Sequence, residues 1–333
     1  MGRARLGRRA LDTVRVADER TEVAVEVDDR VLTLVNLEKV MYPATGTTKA
    51  EVLQYYARIA PVLLPHLADR AVTRIRWPHG TGESSFFEKN APAGTPSWLR
   101  TVEVPTTGSR SRSSSVEPVE TMLRFPVVDS LAALTWLANL ASLEFHVHQW
   151  TVDESGKPRN PNRLVIDLDP GEPAGLGECA QVALLVRDRL AADGLSCAPV
   201  ASGSKGLHLY AGLDGSRGYE EIRDHAKSIA EELEAAHRSL VVSTMNKARR
   251  RGKVFLDWSQ NTGAKTTISP YSLRGRERPY AAAPLTWAEV EAGADDPLAL
   301  EQLDYRDVLA RVEEHGDIFG DLLDPSGPSQ APM

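Results

Sequence analysis

The sequence predicts an α/β protein of mixed sheets with flanking helices. Short apolar runs rich in β-branched residues, such as Leu164-Val165-Ile166, Leu195 to Ala201 and Val254-Phe255-Leu256, have the length and composition of buried strands. Between them lie stretches with apolar residues at helical spacing: Val52, Tyr55, Tyr56, Ile59 and Val62 in one, Ile222, Ala226, Ile229 and Leu233 in another. With 333 residues, 42% of them hydrophobic, the chain can bury a sizeable core, in one large domain or two lobes.

In chain order, residues 1–30 show no steady period and read as an N-terminal extension, an arm or an added strand. Val31 to Val35 is a strand. Thr48 and Glu51 form a capping box for a helix that Pro65 ends. Lys39 precedes that helix and Lys49 lies in its first turn, where open amides and the dipole favour anions; two solvated lysines are the commoner outcome. Ala71 to Trp77 is a strand, and Phe86-Phe87-Glu88-Lys89 follows a turn. Adjacent rings on a strand face opposite ways, so one is expected in the core and one outside, unless both are core. Asp129-Ser130 caps a helix with Leu131, Leu134, Leu137 and Leu140. Alternation from Phe145 to Trp150 puts His146, His148 and Trp150 on one face. That pair suits a metal, a phosphate or plain surface, and no Cys/His partner favours zinc. Cys179 to Ala192 is a helix closed by Gly194, and Tyr219 to His237 is another. Residues 296–333 form a helical tail with a Pro/Ser-rich end expected to be disordered.

The chemistry concentrates at strand ends. Leu164 to Pro170 carries Asp167 and Asp169, which leave the same face roughly 7 Å apart at Cα. Like charges so placed call for something positive between them, and hard divalent cations are commonly shared by carboxylates and substrate phosphates. A plain turn at Asp169-Pro170-Gly171-Glu172 is the alternative. Asp257 is a third carboxylate, on the face of Phe255. Ser202-Gly203-Ser204-Lys205-Gly206, followed by His208, lacks Walker spacing but suits phosphates through close-approaching amides, hydroxyls and a lysine charge; a polar hairpin turn is the alternative. Together these are the parts that nucleotidyl transfer needs: carboxylates for two metals, and basic groups for a triphosphate.

Composition narrows the classes. No apolar run approaches a membrane span, and the basic stretch Met1 to Arg9 lacks the apolar segment of a secretory signal. Cys179 and Cys197 alone cannot make a zinc site and read as reduced intracellular thiols. The net charge of −7 by itself argues against nucleic acid, but its distribution matters more: basic patches in an acidic chain suit phosphate contacts on one face, with plain solvated surface the commoner outcome for charge runs. Lys247, Arg249, Arg250, Arg251 and Lys253 form one basic run, Arg274, Arg276 and Arg278 a second, and Arg110 and Arg112 lie in a Ser-rich loop.

Three segments, Val-Ile-Asp-Leu-Asp-Pro-Gly at 165–171, Ser-Gly-Ser-Lys-Gly-Leu-His at 202–208 and Val-Phe-Leu-Asp-Trp-Ser-Gln-Asn at 254–261, closely resemble the motifs of the polymerase domain of bacterial ATP-dependent DNA ligase D, of the archaeo-eukaryotic primase superfamily. The likeness runs through Asn36 to Lys39, Tyr42 to Lys49, Phe86 to Lys89 and Thr266 to Gly275, and covers roughly residues 31 to 320. It implies a primase-polymerase catalytic core over 31–295, with two lobes around a cleft. It implies addition of nucleotides, ribonucleotides favoured, to DNA 3′ ends, with short gaps or ends bearing a downstream 5′-phosphate as substrates and two Mn2+ or Mg2+ ions as cofactors. Asp167, Asp169 and Asp257 would hold the metals. Ser202, Lys205, His208, Arg250, Gln260 and Arg274 would hold the nucleotide. Lys39 and Lys49 would take the 5′-phosphate, Phe86 and Phe87 would stack near the template, and Lys89 and His146 would contact DNA. Ku and a separate DNA ligase are candidate partners, and the bacterial cytoplasm, at the nucleoid, is the implied location. Without ligase or nuclease motifs the chain resembles a stand-alone paralogue or an excised domain. It departs from the family at Ile75, where lysine is usual. End joining, base-repair gap filling and priming stay open. Two rivals share features of this set: a two-metal phosphodiesterase or nuclease, which needs no triphosphate loop, and a non-catalytic DNA-end-binding protein, against which the three carboxylates argue.

Overall fold

The computed structural model describes residues 22–107 and 120–320. The first 21 residues, the loop around Arg110 and Arg112, and the Pro/Ser-rich terminus lie outside them. β1 (Glu22–Val27) and β2 (Arg30–Val35) form an antiparallel hairpin, so the boundary expected at residue 30 falls inside it. β3 (Val40–Tyr42), β4 (Thr47–Thr48), α1 (Lys49–Leu67), β5 (Val72–Arg76), β6 (Phe86–Glu88), β7 (Thr101–Thr107), β8 (Glu120–Pro126), α2 (Leu131–Asn139), β9 (Ser142–Val147), β10 (Trp150–Val152), β11 (Pro158–Pro161) and β12 (Arg163–Pro170) follow. Then come α3 (Leu176–Ala192), β13 (Cys197–Ala201), β14 (Leu207–Gly212), α4 (Tyr219–Ala236), β15 (Val241–Val242), β16 (Val254–Asp257), β17 (Thr267–Ile268), β18 (Ala283–Pro284), α5 (Trp287–Asp295) and α6 (Tyr305–His315).

Two sheets organise these elements. One has six strands in the order β15-β16-β12-β14-β13-β18, the other four in the order β17-β9-β5-β6. β12 is central to the larger sheet, and its Leu164, Val165, Ile166 and Leu168 are fully buried. That is the burial an apolar run without alternation demands. α3 packs on β12 and β14, and α4 on β12. α2 packs on β9 and on α1. Side chains tie the sheets together: the Tyr210 hydroxyl, from β14, donates to the Ile268 carbonyl of β17 at 3.1 Å, and the Tyr56 hydroxyl of α1 donates to the Leu143 carbonyl of β9 at 2.5 Å. A smaller core of Val102, Val104, Phe125, Trp150 and Val152 lies beneath the β7–β8 hairpin.

Several expectations change. Pro65 does not end α1, which runs on to Leu67 with Pro61 and Pro65 inside it. Leu63, His66 and Leu67 are all buried, so tertiary packing carries the helix past a local breaker. In the segment after residue 296, α6 packs on α1 and Phe319 is buried in the main core. Phe86 and Phe87 do not divide between core and surface: they are 52% and 58% exposed. β6 is a short edge strand, and among the described residues no layer covers either face. His146 and His148 do not share a face either, because the strand stops at Val147. His148 turns into the smaller core, donates from Nδ1 to the Ala71 carbonyl at 3.2 Å and stacks on Trp150 with centroids 4.2 Å apart.

Two buried histidines make the fold acid-sensitive. The Arg163 guanidinium donates to His66 Nδ1 at 3.1 Å, which leaves the proton on Nε2, 3.1 Å from Asp317. Burial pushes both His66 and His148 down to about 4. Their unfolded value is near 6.5, so the unfolded chain takes up protons first on acidification. The stability they contribute is full above pH 6.5 and is lost as pH falls toward 4, by up to about 3 kcal/mol per histidine. Urea denaturation at pH 7.5, 6 and 5 should show a steady decline, and His148→Phe should flatten it. Equal stability at pH 7.5 and 5 would show that neither imidazole is buried in its neutral form.

Candidate active site

Three neighbouring strands line up polar side chains on one face of the larger sheet. Asp167 of β12 pairs across the ladder with His208 of β14 on one side and Asp257 of β16 on the other. Directly opposed residues share a face, so one row reads His208, Asp167, Asp257. Asp169 follows two residues on, opposite Phe255. His208 Nε2 lies 3.3 Å from Asp167 Oδ1. Gln260 Nε2 donates to Asp167 Oδ2 at 3.2 Å and to Asp257 Oδ2 at 3.0 Å, bridging the two carboxylates. The other oxygen of Asp257 accepts from the Ser259 amide at 3.0 Å and from its hydroxyl. Asn261 exchanges two hydrogen bonds with the Val165 backbone, at 2.9 and 2.7 Å, and so pins the 258–261 turn to β12.

The carboxylates differ in charge environment. Burial pushes Asp167 up, but the charge and hydrogen bond of His208, then Arg274 and Gln260, overcome it and hold the carboxyl below its ordinary value. Asp169 stands at the open end of the strand. Protein crowding around its carboxylate, then the charges of Asp167 and Asp257, raise it to about 6. Among the described residues no three Asp, Glu, His or Cys side chains form a ready-made metal cluster, with the Gln260 amide lying between Asp167 and Asp257. The donor set nonetheless fits hard divalent ions: the oxygens are carboxylates, and the repulsion felt at Asp169 is what a cation would relieve.

The loop after β13 abuts the end of β12. A Cβ on Gly206 would lie 1.8 Å from the Leu168 carbonyl oxygen, and one on Gly171 2.0 Å from that of Arg250, so these two positions accept only glycine. Most of the loop's amides are not open as expected. Those of Ser204 and Gly206 donate to the Ser202 hydroxyl at 3.2 and 3.3 Å, and that of Gly203 to Gln302 at 2.6 Å. With these three amides engaged, the loop meets an anion mainly through its side chains. Lys205 projects from it with one exposed ion pair, to Glu172 at 3.6 Å.

Arg274 and His146 converge on a residue absent from the expected set. Glu144 accepts from His146 Nε2 at 2.7 Å, from Arg274 at 3.2 Å and from the Gly275 amide at 2.9 Å. Burial alone would raise its carboxyl, but the His146 hydrogen bond and the Arg274 charge, with the amide, hold it at about 2. Two-residue alternation from His146 was the signal for it. Lys265 was also unassigned; it reaches the Ser259 hydroxyl and stands 3.8 Å from Asp257. Arg250 lies over the Phe255 ring, 3.6 Å from its centroid.

Lys39, Lys49, Phe86, Phe87 and Lys89 belong to other elements. The first-turn amides of α1 are engaged: Lys49 N–H donates to the Lys39 carbonyl at 2.8 Å, Ala50 N–H to that of Leu37 at 2.9 Å and Glu51 N–H to Thr48 Oγ1 at 3.3 Å. The open-amide expectation is thereby corrected. The lysines are still brought together, and Lys49 is buried rather than solvated, with Nζ donating to the Val35 carbonyl at 2.6 Å. Burial, then the Lys39 charge, lower it to about 8. Lys89 and the exposed rings lie at β6, and Ile75 sits between Phe87 and Glu144 on the flanking strands.

The chain matches the model of the LigD primase-polymerase domain over residues 48–319. It is 48% identical over 305 residues to the multifunctional non-homologous end joining protein LigD of Mycobacterium bovis, covering 89% of this chain and 37% of that protein. With the bifunctional non-homologous end joining protein LigD of Bacillus subtilis it shares 34% identity over 303 residues, 91% of this chain and 45% of that one. The chain thus spans less than half the length of these curated relatives. The solved polymerase domain of Mycobacterium tuberculosis ligase D, in complex with DNA, is similar with a TM-score of 0.80 at 47% identity, covering 90% of this chain and 99% of that one.

Glu144 balances the Arg274 guanidinium in a buried place and also accepts from His146, which burial keeps toward its neutral form. Removing one partner of such a set leaves uncompensated charge, so Glu144→Ala should cost about 3–5 kcal/mol, read as a lower urea midpoint. A loss below about 1 kcal/mol, the scale of an exposed pair, would mean that Arg274 and His146 do not depend on it.

Proposed function

The chain belongs to the LigD primase-polymerase domain family, and on that premise we propose that it is a nucleotidyltransferase that adds nucleotides to DNA 3′ ends. The observation that carries the proposal is the row His208, Asp167, Asp257 with Asp169 beside it, whose carboxylates feel the Arg274 and Arg250 charges, with Lys205 on the loop that abuts the end of the same strand. Asp167, Asp169 and Asp257 would hold two Mn2+ or Mg2+ ions, which supply charge neutralisation and activation of the attacking oxygen. Gln260 aligns Asp167 with Asp257. His208, held by Asp167, faces the phosphates together with Lys205, Arg250 and Arg274, and Ser202 shapes the loop that presents Lys205. No apolar helix long enough to cross a membrane occurs among the described residues, which accords with action on DNA in the cytoplasm.

The finer reading is that the substrate is a short gap or end with a downstream 5′-phosphate, that ribonucleotides are favoured, and that Ku and a separate ligase act alongside in end joining. Support for the DNA footprint comes from the Lys39–Lys49 pair, the exposed Phe86 and Phe87, which offer stacking worth about 1–3 kcal/mol per base, and the DNA-bound relative.

Primer extension with NTPs or dNTPs and Mn2+ or Mg2+ tests the activity. Asp167→Ala, Asp169→Ala or Asp257→Ala should each lower extension by at least about 100-fold, the scale of losing a group that stabilises transition-state charge, while DNA affinity persists. Strand shortening without nucleotides would favour the nuclease instead, and binding without any extension the end-binding protein.

The Lys49 shift gives a second test. Its folded value of about 8 means that the ammonium discharges as pH rises through 8. Preference for a gapped substrate with 5′-phosphate over 5′-hydroxyl should be full at pH 7 and fade by pH 9. Lys39→Ala combined with Lys49→Ala should erase it while extension of a recessed end continues. No preference at low salt, where charge contributes most, would sink the downstream anchor.

A further inference from the structure

Gln302 lies in the segment between α5 and α6, and its side chain closes the loop at 202–206 from outside. Gly203 N–H donates to Gln302 Oε1 at 2.6 Å, and Gln302 Nε2 donates to the Gly206 carbonyl at 3.0 Å. One partner can only donate and the other can only accept, so a carboxamide in one orientation satisfies both. The backbone around it is fixed. Ala281 N–H donates to the Leu303 carbonyl at 3.1 Å, Tyr305 N–H to that of Pro279 at 3.0 Å, and Arg274 N–H to that of Tyr280 at 2.8 Å. Gly203 is wedged against this layer: a Cβ there would lie 2.5 Å from Arg274 Cγ and 2.8 Å from the Ala281 backbone. The loop bearing Ser202 and Lys205, the strand-like stretch bearing Arg274 and the segment bearing Gln302 are therefore one laminated unit.

We propose that Gln302 is a positioning residue for nucleotide binding: its carboxamide clasps both ends of the loop and sets where Lys205 stands relative to Arg274. This rests on reading the loop as part of the nucleotide site. Lys205 is held in place by little else, since its one ion pair is exposed and 3.6 Å long. The loop's closure by Gln302 fixes the base from which that side chain reaches.

The test uses Gln302→Glu and Gln302→Ala in the full chain. Glutamate keeps the size and the acceptor for Gly203 but sets an oxygen against the Gly206 carbonyl; alanine removes both bonds. Two hydrogen bonds of ordinary strength predict a rise in nucleotide KM of about tenfold, kcat at saturating nucleotide within about twofold and unchanged DNA affinity. Gln302→Glu should be at least as impaired as Gln302→Ala. Equilibrium binding of a fluorescent nucleoside triphosphate with Mn2+ is measured in parallel and should weaken to the same extent. An unchanged nucleotide KM and affinity in a variant that melts like the wild type would overturn the proposal, as would a parallel fall in KM-independent rate and DNA affinity. Wild-type protein that binds nucleotide but does not extend would sink the polymerase reading alone, with the binding arm still deciding on Gln302; wild-type protein that does neither sinks both.

Discussion

The register of β12 against its two neighbours is the constraint on which the rest depends. A one-residue slip in either ladder would turn Asp167 away from His208 or Asp257 and send Leu168 out of the core. The apolar side chains that fill the core are thus the same ones that fix which carboxylates meet. Gly206 and Gly171 hold the register from the strand ends, because backbone carbonyls occupy the space a side chain would need. Asn261 adds a side-chain rung to Val165, which ties the Gln260 turn to the same strand.

Around that row, charge is balanced in layers. Carboxylates gather at the end of β12, and the cations around them come from separate places: Lys265, 3.8 Å from Asp257, the 202–206 loop, the basic run at Arg250 and the stretch at Arg274. Two of these cations are themselves oriented by neighbours, Arg250 by the Phe255 ring and Arg274 by Glu144. Such preorganisation keeps the cost of ordering out of the binding step.

Much of this was legible in the sequence because it follows from short-range rules. Asp167 and Asp169 share a face by two-residue alternation, Thr48 and Glu51 close a capping box as written, and Ser130 caps α2. What was illegible depends on distant partners. Both Phe86 and Phe87 are exposed because none of the described residues covers β6, which no local pattern states. His148 parts from His146 because the strand stops between them. The first turn of α1 has no open amides because Leu37 and Lys39 supply carbonyls from outside the helix. Gln302 sits in a polar stretch without period, and only the fold carries it to the loop.

The burial of Phe319 against His66 and Tyr210 has a consequence for the order of assembly. α1 is made well before the side chains that seal its far face, which run from α6 to Phe319 and are the last of the described residues to leave the ribosome. Such sequence separation makes the closing contacts slow to find. Until they form, the chain carries an unsealed apolar face and a His66 imidazole without its Asp317 acceptor, and exposed apolar surface of that kind is aggregation-prone.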